Sequence, residues 1–476
     1  MRRSCLSVLL AVTLVAFAPG TAAAQAPPAA TASRTVTLTL EESLRAALKR
    51  SPEVRQAEAE VEGIRGKQLQ AEGLGWPQAS LTAVLGPSPR ARGDQVSSPD
   101  DQYSPDFTGL FVLGALEIIQ PIFTWGLIEN ARRAAEHGVR ATEAGVEVKS
   151  TEVALRVKQA YWGAVVAQMI KNFLLEVREQ VDQAIERTER LVEGGFGTDA
   201  DVYRLRASKG ELEKNVNLVD KNLDLARAAL AAWTGQPAGT AVEPKDSALP
   251  AELRDLRALE LFVEDARANR LELVQLREGI QARRNLVEVE RKKRYPLFFI
   301  GIAGSAAYAT NRDRLDNPYV IDPLNHVAIG PVIGFRYSLD FGIAAGKIKE
   351  AEAELQKLQA LQDFAEEGIP LQVRQAYGAV VEAKRNAAAF DEAHQNAKRW
   401  LVAASSSFDL GVGEPRDLAD AVVAYAKTRG EYLQALYAYV FGLEQLAHVA
   451  GLDVEEVRRL VPEIRRGAGR TAGGPG

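Results

Sequence analysis

The sequence predicts a mainly α chain with four β-strands, built by internal duplication. Three observations lead there. Adding 216 to a residue number in the first half finds its counterpart in the second: Trp125-Gly126 falls on Phe341-Gly342, and Val157-Lys158-Gln159-Ala160-Tyr161 on Val373-Arg374-Gln375-Ala376-Tyr377. Gly195, Gly197 and Asp201 fall on Gly411, Gly413 and Asp417 without a gap, so one unit occurs twice. Residues 327–341 alternate large apolar with small or polar side chains, the period-2 pattern of a strand with one greasy face. Residues 126–192 and 342–408 carry apolar positions at helical spacing over lengths of ~100 Å at 1.5 Å per residue.

Composition agrees. The chain is rich in Ala, Leu, Glu and Arg and poor in aromatics, at 7%. That favours long helices over a thick core. Its net charge is −5 with both signs interleaved, and no basic block points to nucleic acid. The one cysteine, Cys5, precludes disulfides, thiolate metal ligation and thiol catalysis in a chain that loses its N-terminus. The four histidines, His137, His326, His394 and His448, show no ligand spacing. No phosphate-binding loop, nucleophile motif or acid–base constellation is found. The expectation is a protein that is not an enzyme and has no cofactor, no metal and no catalytic residue.

In chain order, residues 1–24 read as a secretory signal peptide. Arg2 and Arg3 precede an apolar run from Leu6 to Ala18 that is too short to span a membrane, and Ala22-Ala23-Ala24 offers a cleavage site. Residues 25–37 read as a flexible lead-in. The first repeat, 38–233, opens with a helix capped at Thr39, interrupted at Ser51-Pro52 and ended at Trp76-Pro77. Strands follow at about 78–123, as 78–86 and 107–123. Then come a long helix at 126–192 and a return helix at 199–233. Residues 234–258 read as a linker. The second repeat, 259–450, has strands at about 297–341, a long helix at 342–408 and a return helix at 414–450. Residues 451–476 form a tail with a Gly-rich end expected to be disordered.

Two features disturb the symmetry. Pro370 lies inside the second long helix and is expected to kink or break it near Gly368. In the first strand pair, Glu117 maps by the 216 offset onto Ile333 and so onto its greasy face. The inter-strand loops, 87–106 and 310–325, are rich in Pro, Asp, Ser, Asn and Arg and read as solvated.

Four greasy strands cannot close a barrel, and an open sheet edge is not viable in lipid. Three chains would supply twelve strands. A ~100 Å helical hairpin also needs neighbouring hairpins to pack against. A ring of chains meets both demands with a 12-stranded membrane β-barrel continuous with an α-barrel of long antiparallel hairpins.

Gln120-Pro121-Ile122-Phe123 with Gly126 marks the first strand-to-helix junction. Gln-Ala-Tyr recurs in each long helix, and each hairpin tip has a Gly followed six residues on by Asp. In this order, twice, the chain resembles the TolC-like outer-membrane factor (outer membrane efflux protein) family over about residues 38–450. The resemblance implies a homotrimer in the outer membrane of a Gram-negative-type cell, extending into the periplasm. It implies passive conduction for a tripartite efflux pump, with a periplasmic adaptor (membrane fusion) protein and an inner-membrane transporter of RND, ABC or MFS type as partners. Lipid-anchored members carry a Cys at the mature N-terminus, which Cys5 does not supply. The alternative is the channel of a type I protein secretion system. A periplasmic coiled-coil tether without a pore is a remoter one, and the greasy strand 327–341 speaks against it.

The resemblance also assigns roles. The tips Gly195-Phe196-Gly197 and Gly411-Val412-Gly413 would meet the adaptor. Glycine there is also what helix termination alone demands. Pro121, Gly126 and Gly342 stand at the strand-to-helix junctions. Asp417 and Asp420, three apart on one helix face, match an Asp-x-x-Asp that builds an acidic ring at the closed entrance in the family. Asp417 is equally explained as helix-start chemistry, as is its mate Asp201; Asp420 is not, since its mate is Arg204. Phe408 and Gly413 occupy the positions of a Tyr and Arg latch found in some members, so that latch is not expected in the same form.

Overall fold

A computed structural model of the chain describes residues 35–93, 102–237, 239–250, 252–314, 319–339 and 342–453. The predicted signal peptide and the tail beyond 453 lie outside them. The first repeat contains β1 (Thr35–Leu38), α1 (Leu40–Arg50), α2 (Pro52–Gly73), β2 (Gln78–Arg92), β3 (Gln102–Phe123), α3 (Leu127–Glu193) and α4 (Asp199–Thr234). After β4 (Ala241–Pro244), the second contains α5 (Leu259–Asn269), α6 (Leu271–Lys292), β5 (Leu297–Ala309), β6 (His326–Arg336), α7 (Ile343–Asp409) and α8 (Pro415–Ala450).

Helices α3 and α7 are 67 residues each and α4 and α8 are 36. The cores follow the heptad seam. Val202, Leu205, Leu212, Val216, Leu223 and Leu230 of α4 are buried; Leu205, Leu212 and Val216 cluster with Phe173, Val177, Val181 and Ile185 of α3, and Leu223 and Leu230 with Val157, Tyr161 and Val165. Toward the sheet the packing order is α2-α3-α6-α7. Toward the tips it is α4-α3-α8-α7. Four helices therefore stand side by side at either level, as many as the strands of the sheet above.

Helix α7 runs through Pro370 without the break that is one of the two outcomes expected there. The proline removes one backbone donor. Its neighbours Ile369 and Val373 are buried in the central core, and their packing holds the helix across the gap. A second correction concerns residues 35–37, expected to be flexible. They belong to β1, which pairs in parallel with β4 in the segment expected to be a plain linker. The buried Tyr161 hydroxyl fixes this strap by donating to Asp246 Oδ2 at 2.5 Å; burial, and then this bond, push its pKa up. Tyr439 does the same for the other end, donating to the Glu252 carbonyl at 3.2 Å and accepting from Arg254 N–H at 3.0 Å.

The sheet is antiparallel in the order β2-β3-β5-β6. Strands β2 and β3 extend beyond the predicted ends, so much of 87–106 is strand rather than loop. Strand β6 ends at Arg336, short of the predicted 341. Between Pro121 and Phe123 the register of β3 shifts against β5, with Ile122 as the extra residue of a bulge. The missing N–H of Pro121 is accommodated there.

That bulge reverses the predicted facing of Glu117, because a one-residue slip exchanges the faces of a strand. Glu117 lies opposite Ala303, and Ala303 opposite Gly330, whereas Ile333 lies opposite Ile300. One face therefore carries Leu81, Leu85, Val112, Leu116, Ile118, Ile300, Ile302, Ile329, Ile333 and Phe335, all exposed except the half-buried Ile118. Ten residues separate Phe298 from Tyr308 on β5. At ~3.4 Å each and a tilt of ~40°, that is a band ~26 Å tall, the height of a membrane barrel's apolar belt. Trp76, Phe123, Trp125, Tyr295, Phe298 and Tyr337 crowd its helix-side rim, as interfacial aromatics do.

Candidate functional site

The chain bends from strand into helix at each junction, and the bend uses left-handed backbone. Gly126 has φ +84° and Gly342 φ +118°. Trp125 adopts φ +56°, which costs a non-glycine residue ~1–2 kcal/mol. Its indole N–H donates to the Pro296 carbonyl at 2.8 Å, and its ring packs on Phe123 and Tyr295 at centroid distances of 4.9 and 5.2 Å. The Gln120 amide donates to the Gly75 carbonyl at 2.9 Å, tying the start of this turn to the end of α2.

At the far end, both hairpins close in the same way. The Phe196 N–H donates to Leu191 O at 2.8 Å and that of Gly195 to Val192 O at 3.0 Å. Val412 N–H donates to Ser407 O at 3.1 Å and Gly411 N–H to Phe408 O at 3.0 Å. This double bond pattern with a left-handed glycine, φ +79° at Gly195 and +74° at Gly411, is a Schellman motif. The second glycine of each tip serves a different purpose. A Cβ on Gly413 would lie 2.7 Å from the Phe408 nitrogen, so the chain passes too close for any side chain. On Gly197 it would meet the end of the Val192 side chain at 3.1 Å.

These turns expose apolar tips. Phe196 is 85% and Val412 80% exposed, with Leu410 beside it at 79%. The next helix starts differently in each hairpin. Thr198 opens α4, its N–H and hydroxyl both donating to Asp201 Oδ2 at 3.3 and 2.6 Å. Pro415 opens α8, with Asp417 N–H donating to the Glu414 carbonyl at 3.1 Å.

Asp417 and Asp420 both lie exposed on the first turns of α8, while Leu418 and Ala419 between them are buried. The Trp400 indole N–H on α7 donates to Asp417 Oδ1 at 3.1 Å. Asp420 faces Arg416 at 3.7 Å. Asp417 thus differs from its mate Asp201, which turns back on its own cap. The first hairpin cannot make the Trp400 contact, since Ala184 occupies that position. Sequence reasoning missed Trp400; its one signal is its position across the turn from Asp417. Phe408, at the latch position, is buried in the tip core. Arg187 of α3 pairs with Asp409 and ties the two hairpins together just above the tips.

The histidines are packing groups. His394 Nδ1–H donates to the Phe390 carbonyl at 3.1 Å, the ring stacks on Tyr432, and its Nε2 accepts from Arg429 Nη1 at 3.1 Å. His137 meets Glu278 at 2.7 Å. Among the described residues, no group of His, Cys, Asp and Glu is arranged to hold a metal, and no helix is long and apolar enough to cross a membrane.

The outer membrane efflux protein family matches residues 43–236 and 262–452. The outer membrane protein TolC of Vibrio cholerae is 24% identical over 331 residues, covering 69% of this chain and 72% of that protein. The fusaric acid resistance protein FusA of Burkholderia cepacia is 24% identical over 187 residues, 38% of this chain and only 34% of its own length. Among solved structures, the outer membrane protein VceC of Vibrio cholerae superposes with a TM-score of 0.70 at 19% identity, over 87% of this chain and 96% of that one.

Proposed function

The chain belongs to the outer membrane efflux protein family, and from that premise we propose that three copies form a passive conduit, the outer component of a tripartite efflux pump. It is an outer-membrane protein reaching into the periplasm and is not an enzyme. Residues 1–24 serve in this reading as the export signal.

The observation that carries the proposal is the sheet. It has four strands, a continuous apolar face and two edges, β2 and β6, which among the described residues have no further strand beside them, the one bridge from Ala91 to Arg312 lying at the outer end of β2. Unpaired backbone in lipid costs several kcal/mol per group, so the edges must meet other copies. Strand directions alternate from β2 to β6, and β6 of one copy can therefore pair antiparallel with β2 of the next. Three copies give twelve strands. The four helices at each level likewise give twelve, one beneath each strand.

In this assembly the loops beyond β2 and β5 face outside and the tips lie at the periplasmic end. The exposed Phe196, Leu410 and Val412 supply apolar surface for an adaptor, with Gly195, Gly197, Gly411 and Gly413 shaping the turns that present it. Asp417 and Asp420 ring the entrance. Their charges, repeated threefold, would favour cations. The test is fractionation: the protein should sediment with outer membrane and be released by detergent but not by salt or alkali. Release without detergent would refute a lipid-embedded barrel.

A further inference from the structure

The inner face of the sheet holds one carboxylate at mid-membrane depth. Between the Phe298 and Tyr308 levels of β5, the residues on that face are Phe299, Gly301, Ala303, Ser305 and Ala307, with Gly330, Val332 and Gly334 beside them on β6. Glu117 lies opposite Ala303, five residues from either limit of the band. Its other lateral partner is Ser80. Among the described residues of β5 and β6, the ionisable groups of this face sit at its ends: Arg336 opposite Leu297 at the helix-side rim and His326 opposite Ala307 near the outer one. Glu117 is exposed and makes no ion pair among the described residues. Its surroundings are small, so nothing packs over the carboxylate.

We infer that Glu117 is a specificity-determining residue, forming a ring of three carboxylates inside the β-barrel that selects cations separately from the periplasmic tips. The inference rests on the trimeric reading above. Twelve strands ~4.8 Å apart and tilted ~40° give a backbone radius of ~12 Å. A glutamate reaching inward then leaves its charge ~8 Å from the axis, within the ~10 Å Debye length at 0.1 M salt but well beyond the ~3 Å at 1 M. Three such charges change the cation-to-anion permeability ratio by roughly tenfold at ~0.1 M and less than twofold at ~1 M. A ring of this width acts by its field, not by binding a dehydrated ion.

The experiment measures reversal potentials in KCl gradients across planar bilayers, at both salt levels, for the parent, Glu117→Gln and Glu117→Lys. Each is also made together with Asp417→Ala and Asp420→Ala, so that the tips do not mask the barrel. Glu117→Gln should lower the potassium-to-chloride ratio several-fold at ~0.1 M and hardly at ~1 M, and Glu117→Lys should carry it toward chloride. In addition, Glu117→Cys should react with a charged water-soluble thiol reagent, and Leu116→Cys, on the lipid face, should not. Unchanged selectivity of a trimeric Glu117→Gln channel, or the reverse labelling pattern, overturns the inference alone. The mass of the same detergent samples reads the assembly separately. A particle that is not a trimer overturns both the ring and the conduit it depends on.

Discussion

The two glycines of each hairpin tip are not equivalent, and alanine substitution should rank them. In the second hairpin, Gly411 has φ +74° with open space where a Cβ would go. Gly411→Ala therefore costs only the left-handed penalty of ~1–2 kcal/mol. Gly413 has no such strain, but its Cβ would sit 2.7 Å from Phe408 N and 2.8 Å from Ser407 C. The obstruction is main chain, so it yields only by opening the last turn of α7. That sacrifices the bonds from Val412 and Gly413 to the Ser407 carbonyl, at 3.1 and 2.9 Å. At ~1 kcal/mol each, Gly413→Ala costs ~2 kcal/mol or more. In the first hairpin, Gly195→Ala should match Gly411→Ala. Gly197→Ala should cost under ~1 kcal/mol, because the contact is to the movable end of Val192. Amide hydrogen exchange of the tip peptides in detergent reads these local openings directly. Exchange should accelerate ~5–30-fold for Gly195→Ala and Gly411→Ala, further for Gly413→Ala and least for Gly197→Ala. A silent Gly413→Ala, or a Gly197→Ala equal to it, would refute the reasoning. Phe196→Ala and Val412→Ala supply the contrast. They should leave tip exchange unchanged while weakening adaptor capture.

Three further outcomes are expected. Replacing both Asp417 and Asp420 by Ala should reduce block by multivalent cations added on the periplasmic side in planar bilayers. Replacing Asp199 in the other tip should do much less, and equal effects would make the pair helix-start chemistry only. Burial lowers the pKa of His448 below its usual 6.5, so the fold favours the neutral ring. The unfolded chain then binds more protons just below pH 6.5, and thermal stability should fall with pH from there down to the native pKa. His448→Gln should flatten that part of the pH profile; a parallel decline in both proteins would contradict the assignment. Cysteine at Ile321, in the loop between β5 and β6, should label on intact cells, and cysteine at Phe196 should label only after the outer membrane is breached. The opposite pattern would invert the topology.

The duplication was legible because helix and turn chemistry repeat residue by residue. Tyr161 and Tyr377, Gly195 and Gly411, and the matched helix lengths all fall on one offset. The facing of β3 was not legible. Sequence offset carries parity only while the register is unbroken, and the bulge at Ile122 breaks it. Glu117, which looked like a flaw in a greasy strand, is a consistent member of the inner face. Gln-Ala-Tyr was visible as a motif but not as a device, because its partner Asp246 lies 85 residues away in a segment without periodicity. The same holds for β1 and β4, four-residue strands too short to show a pattern. At the tips, sequence located the glycines, while the Trp400–Asp417 bond that distinguishes the two hairpins needed the packed helices to become apparent.

The account depends most on the closure of twelve strands from three chains. Light scattering of the protein in mild detergent, corrected for bound detergent, measures that directly. Three chains per particle, unchanged on dilution, is the predicted result. A stable monomer or dimer would leave the edges of β2 or β6 open in lipid and would contradict the proposed conduit.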